Sequence, residues 1–258
     1  MNAIVTAGGT PQPEEALYAY TQGRAKAVLD FNGKPMVQWV LDALSGSTLI
    51  DRVVLVGLPA FVQLACSHPI TYLDSAGSII GNIQAGVQEL ITGTSPEDHA
   101  LVVASDIPAI RPDIVDWLVH CVEESNFDIY YSIVERFNME RAFPGSKRTY
   151  AHLKDGEFCG GDMHAVRLGA ALQDNPAWHR ILEARKNPLK QAQLIGFDTL
   201  FLLKLRLLTI QRAERMISNR LCIRGKALIC PYPETGMDVD KPFQLEMLRQ
   251  ELAKKGGK

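Results

Sequence analysis

Short apolar runs alternate with helix-spaced apolar residues through the first half of the chain, and this alternation constrains the fold most. "AIVTA" (3–7), "RVVLVG" (52–57), "ITYLD" (70–74), "ALVVAS" (100–105) and "DIYYSIV" (128–134) are rich in Val, Ile and Tyr and read as strands. Between them, "MVQWVLDAL", "SIIGNIQAGVQELI" and "PDIVDWLVHCVEE" carry apolar residues at helical spacing, with Pro112 placed to start the last. Strands that alternate with helices of this length need crossover connections. The spacing therefore predicts a three-layer α/β fold around a mostly parallel sheet covered on both faces. No Gly/Ser-rich linker or internal repeat divides the 258 residues, which predicts one domain.

The rhythm changes after Glu135. "RTYAHLKDGEFCGGDMHAV" places Asp155-Gly156 between two strand-like runs, a hairpin signal. From about Gly169 to Arg220 the pattern is mostly helical, with Pro176 and Pro188 as helix starts. Within it, "LIGFDTLFLLKLRLLTIQRAERM" is interrupted by Asp198, Lys204 and Arg206, short of the roughly 20 apolar residues a membrane span needs. It reads as a buried or partner-facing helix, shaping acceptor binding or a homodimer contact. The chain returns to a strand in "KALICPYP" and ends in the helix "PFQLEMLRQELAKK". The α/β layer is thus interrupted by a hairpin and a helical insertion at about 136–222, then completed.

A formal net charge of -2 gives no electrostatic footprint for nucleic acid. "MNAIVTAGG" has no basic stretch leading into an apolar one, so no signal peptide is expected. Five cysteines without CxxC spacing read as reduced thiols of a cytoplasmic protein.

Six stretches can carry chemistry. Ala7, Gly8 and Gly9 follow the first strand, where missing side chains let backbone N–H groups approach a phosphate. The stretch fits neither GxGxxG nor GxxxxGK[ST], and by itself reads better as an ordinary turn than as a site. Arg24 and Lys26 precede a strand-like run, "AVLDF"; they can neutralise a triphosphate or be solvated loop cations. Asp106 ends an apolar strand, at the sheet's carboxyl end, where a lone carboxylate suits Mg2+. Asp238 and Asp240 precede the last helix, so one is expected to cap it and the other to meet a metal. Gly77 and Asn82 stand before and within a helix, where they can read the edge of a base. Lys147, Arg148 and Thr149, with Gly160, Gly161 and Asp162 of "CGGDMHAV", are candidates for the acceptor.

The order of these pieces resembles the MobA-like nucleotidyltransferase family, which includes molybdenum cofactor guanylyl- and cytidylyltransferases and sugar-phosphate and methylerythritol-phosphate nucleotidyltransferases. "AIVTAGG" is similar to that family's first strand and glycine loop, and "AKAVLDFNGKPMVQWVLDAL" to its Pro-Lys signature. "DSAGSIIGNIQAGV" resembles its base-contacting segment, "ASDIPAI" its Asp-x-Pro metal motif, "CGGDMHAV" its Gly-Gly-Asn strand and "DVDKPFQLEML" its closing signature. The resemblance implies a Rossmann-like, GT-A-like nucleotide-diphospho-sugar transferase fold. It also implies Mg2+-dependent transfer of an NMP unit from CTP or GTP to a phosphorylated or anionic small molecule. On it, Gly8 and Gly9 cradle the triphosphate and Lys26 binds phosphate and stabilises the transition state; Lys26, Arg24 and Asp106 are the candidate catalytic residues. Asn82 lies near the base, and Asp106 and Asp240 hold the metal.

The sequence departs from the pattern in four places. "TPQPEEALYAYTQGRA" replaces the usual continuation of the glycine loop, Ala25 stands where Pro precedes the lysine, Asp162 where Asn is frequent, and Lys241 where Thr is frequent. Two other functions use such a sheet. A nucleotide-sugar glycosyltransferase needs the metal aspartate but not the early lysine. A nucleotide-sensing protein keeps the fold without catalysis.

Overall fold

The computed structural model describes residues 1–172 and 196–256. Pro176 and Pro188 lie outside the described residues.

One nine-stranded sheet organises them. Strands β1 (Asn2–Thr6), β4 (Val53–Val56), β5 (Ile70–Leu73) and β6 (His99–Ala104) pair in parallel in the order β5-β4-β1-β6. Helix α2 (Met36–Ser45) crosses from β1 to β4 and α3 (Ile79–Ile91) from β5 to β6, α4 (Pro112–Glu123) follows β6, and β4 joins β5 without a helix. Successive strand residues face opposite layers. Ala3 and Val5 pack in the core with Val40, Leu41, Ile114 and Leu118 of α2 and α4, whereas Ile4, Val54 and Val102 pack with Val87 and Leu90 of α3. Both faces of β1, β4 and β6 are buried, which is why these runs are nearly all apolar, whereas the edge strand β5 is half-buried.

Beyond β6 the sheet is mixed. Strand β7 (Ile129–Glu135) is reached through β10 (Met163–Arg167), which lies antiparallel between β6 and β7. The Asp155-Gly156 hairpin forms as expected between β8 (Ala151–Leu153) and β9 (Gly156–Gly160), and it extends the main sheet through β7. Strand β11 (Gly225–Cys230) completes the sheet parallel to β7. A third core gathers Met139 and Phe143, around helix α5 (Arg136–Ala142), with Leu245 and Leu248 of the last helix (Pro242–Gly256).

Two local expectations are corrected. "AVLDF" is a 3₁₀ turn over Lys26–Val28 followed by the two-residue strand β2 (Asp30–Phe31), paired with β3 (Lys34–Pro35). Its alternation is real, since Ala27, Leu29 and Phe31 are buried. Asn32 and Gly33 adopt left-handed conformations, however, and turn the chain straight back on itself. The long helix expected around "LIGFDTLFLLKLRLL" is two helices, Phe197–Lys204 and Ile210–Leu221. Arg206 breaks them with φ 57°, and Thr209 caps the second by accepting from the Arg212 N–H. Among the described residues no helix is long and apolar enough to cross a membrane.

Candidate nucleotide site

The carboxyl ends of β1 and β6 open into a cavity of about 510 Å³, the position where open α/β sheets bind ligands. Gly8, Gly9, Lys26, Gly77, Asn82, Asp106 and Asp162 all line it. Residues far apart in the sequence are thereby brought to one place.

Each wall has a local cause. At the end of β1, Ala7 donates its N–H to the Val56 carbonyl (2.7 Å) and is buried, so it anchors the loop rather than facing the cavity. Gly57, with φ 106°, packs directly against the backbone of Gly8; a Cβ there would stand inside that backbone. A Cβ on Gly9 would meet nothing within 4 Å, so its backbone is open to the cavity. The segment 10–25 then leaves and returns, its ends joined where the Lys26 N–H donates to the Gly9 carbonyl (2.8 Å). Leu17 and Thr21, at helix α1 (Tyr18–Thr21), are buried, which pins the excursion to the protein. Glycine loop and lysine are adjacent despite sixteen intervening residues.

Lys26 is the electrostatic centre. Its Nζ lies 2.5 Å from Asp106 and 2.7 Å from Asp240. Burial alone would lower its pKa, but the two carboxylates outweigh that and hold the ammonium above the usual lysine range. Asp240 is positioned because Val239 donates its N–H to the Asp106 carbonyl (3.0 Å), tying the closing signature to the end of β6. Neither aspartate takes the expected capping role. Gln244 Oε1 accepts from the Asp240 and Lys241 N–H groups instead, while Asp238 pairs with Arg148. Ligand oxygens of Asp106, Asp238 and Asp240 lie within 4.8 Å of one another. Three hard oxygen donors beside this cavity fit Mg2+.

Opposite, Asn82 is buried and its Oδ1 accepts from the Ala76 N–H (2.8 Å), fastening the 75–77 loop over the cavity. Its Nδ2 faces Gly8. The remaining wall is the seam between β9 and β10. Gly161 lies so close to Ser132 that a Cβ would clash with the hydroxyl. Asp162 donates its N–H to the Thr235 carbonyl, and its own carbonyl accepts from Ala104. Burial, reinforced by Asp106, pushes the Asp162 carboxyl up to about 7, against the opposing pull of Arg148. Its buried Oδ2 has no hydrogen-bond partner among the described residues.

Besides Ala7, three expected residues are not brought here. Arg24 is exposed and donates Nε to the Thr21 carbonyl (3.3 Å), closing its own turn. In the cluster Lys147–Thr149, only Arg148 turns inward, reaching Asp162 at 3.8 Å as well as Asp238. Lys147 lies over the Phe243 ring and Thr149 is exposed. Conversely, Thr10, Gln12 and Ser75 line the cavity without having been singled out; no spacing marks them, since they arrive by loop path. Asp238 had a legible signal. It stands two residues from Asp240, and residues two apart in extended chain share a side.

Residues 3–188 match the MobA-like NTP transferase domain, and the chain belongs to that family. A hypothetical transferase from Thermus thermophilus superposes with a TM-score of 0.82 at 32% identity, covering 95% of this chain and 98% of that one. Two curated relatives are probable molybdenum cofactor guanylyltransferases. That of Thermococcus sibiricus is 32% identical over 40% of this chain and 51% of its own length. That of Pyrococcus horikoshii is 27% identical over 38% and 47%. The chain spans about half the length of the curated relatives it matches.

Proposed function

We propose that this chain is a nucleotidyltransferase that moves an NMP unit from GTP or CTP to a phosphorylated or otherwise anionic small molecule. The observation that carries this reading is Lys26, held between Asp106 and Asp240 at the rim of a cavity walled by Gly8, Gly9 and Asn82. The guanylyltransferase names of the curated relatives favour GTP. The whole chain, 1–258, reads as one such domain, since its sheet takes strands from both sides of the helical segment at 196–221.

Gly9 and Gly77 offer open backbone to phosphates and ribose, and Asn82 holds the loop that would meet the base. Lys26 supplies fixed positive charge to the triphosphate, where a preorganised cation stabilises charge developing in the transition state. Asp106 and Asp240, with Asp238 beside them, would hold Mg2+, which when bound neutralises phosphate oxygens. Arg148, Gly161 and Asp162 border the acceptor side. An acceptor oxygen forms a bond to the α-phosphorus, the bond to the bridging oxygen breaks, and pyrophosphate leaves with the electron pair. An acceptor already ionised needs no general base, so orientation and charge supply the rate enhancement.

Pyrophosphate release from the four NTPs, with Mg2+ and fractionated metabolites, tests the reaction. Turnover with GTP or CTP is expected, and absence of turnover in every fraction would favour nucleotide sensing. Lys26→Ala should weaken NTP binding roughly tenfold to a hundredfold, the weight of a hydrogen bond to a charged group, while nucleoside binding changes little. Equal losses for both would remove the lysine from the phosphate site.

A further inference from the structure

A second cavity, of about 400 Å³, lies between the face of β7 and β11 and the helix Ile210–Leu221. Its walls include Ile129, Tyr131 and Ile133 of β7, Ala227 of β11, and Ala213 and Ile217 of the helix. The polar groups at its border are spent on one another. Glu214 accepts from the Ala227 N–H (2.8 Å) and pairs with Lys226 (3.6 Å), and Ser218 Oγ accepts from the Gly225 N–H (3.0 Å). A polar ligand would lose hydration there without regaining partners, whereas hydrocarbon would lose nothing.

The cavity adjoins the acceptor side of the candidate nucleotide site. Tyr131 forms part of its wall, stacked on His164 with ring centroids 4.4 Å apart. The Tyr131 hydroxyl lies over Gly160, so close that a Cβ on Gly160 would be 2.7 Å from it. The Gly160 carbonyl accepts from Arg148 (3.4 Å), and Arg148 faces Asp162, which lines the nucleotide cavity. A polar reaction centre, an arginine and an apolar cavity therefore follow one another along the β9–β10 seam.

We infer that the acceptor is an amphiphile: an anionic head that reacts beside Arg148 and Asp162, and an apolar body that crosses Tyr131 into the cavity under helix Ile210–Leu221. The inference rests on the nucleotidyltransferase reading for the role of the head. The apolar cavity stands independently of it.

The test uses calorimetric titration of the full chain with n-alkyl phosphates from ethyl to octyl, below micelle-forming concentrations and without nucleotide. Affinity should rise about fourfold per methylene until the tail outgrows the cavity, the ratio corresponding to burial of one CH₂. Ala213→Trp, which fills the cavity, should flatten the series. Ala213→Leu, a milder filling, should move the optimum to a shorter tail and serves if the tryptophan variant does not fold. Equal affinity for all tails would overturn the inference and would mean that the protein's own residues close the cavity. A rise that persists unaltered in the variants would overturn it as nonspecific adsorption. Thermal shift by NTP is read in parallel. Its absence alongside a normal alkyl series would sink the nucleotidyltransferase reading and leave the cavity assignment standing.

Discussion

Gly8 and Gly9 line the nucleotide cavity and Gly57 packs against Gly8, yet the three do different work. Gly57 combines φ 106° with direct contact to the Gly8 backbone, so any side chain adds both strain and overlap. Gly57→Ala should cost about 3 kcal/mol or more by chemical denaturation. A Cβ on Gly9 has open space, so Gly9→Ala should change stability by less than about 0.5 kcal/mol. It should still weaken NTP binding, because the added methyl stands where phosphate oxygens would approach. Destabilisation by Gly9→Ala equal to that by Gly57→Ala would refute this division. The "AGG" run was legible in the sequence and Gly57 was not, because its role is a tertiary approach between two strand ends. Asp106 was legible because it ends an apolar strand, a local signal; Lys26 was singled out only through the order of the motifs, since its partners Asp106 and Asp240 are distant in sequence.

The parallel strands and their helices could be read from periodicity because burial writes a repeating apolar pattern into each segment's own sequence, whatever packs against it. Strand β10 could not be placed in that way. It enters antiparallel between β6 and β7, a pairing that depends on chain returning from residue 163, which no local pattern encodes. Asp128, buried just before β7, helps to fix that arrangement. It accepts from the Arg224 N–H (2.7 Å) and guanidinium (3.1 Å) and pairs with Arg167, linking the entry of β7 to β10 and β11. Burial opposes the charge, but the Arg224 hydrogen bonds and the two guanidinium charges prevail and hold the carboxyl below its ordinary range. A depressed folded-state pKa contributes stability above the unfolded value of about 4, lost as pH falls through the folded value. Asp128→Asn should therefore cost roughly 2 kcal/mol at pH 7, in line with hydrogen bonds to charged groups. The cost should shrink below about pH 4. Urea unfolding of both proteins across that range measures it; a pH-independent difference would mean that packing, not charge, sets the role of Asp128.

At the scale of the whole molecule, the site is assembled from six separated stretches: the glycine loop, the turn at Lys26, the 75–82 segment, the end of β6, the β9–β10 seam and the closing aspartates. Each stretch alone permits a turn or a cap, and the fold alone brings them together. A ligand that spans these stretches in the folded state has no counterpart in the unfolded chain, so it should stabilise the protein by mass action. At a hundredfold excess over Kd the gain is about 2.7 kcal/mol. For a chain of this size that raises Tm by roughly 5–10 °C. The shift should need NTP and Mg2+ together, since the cluster of Asp106, Asp238 and Asp240 is where a cation would join nucleotide to protein. Asp106→Asn removes one charge from that cluster and one partner from Lys26, while the strand ahead of it keeps its packing. The variant should melt within a few degrees of the parent without ligand and lose the Mg2+-dependent part of the shift. A full Mg2+–NTP shift in Asp106→Asn would move the metal away from β6 and with it the proposed site of phosphoryl attack.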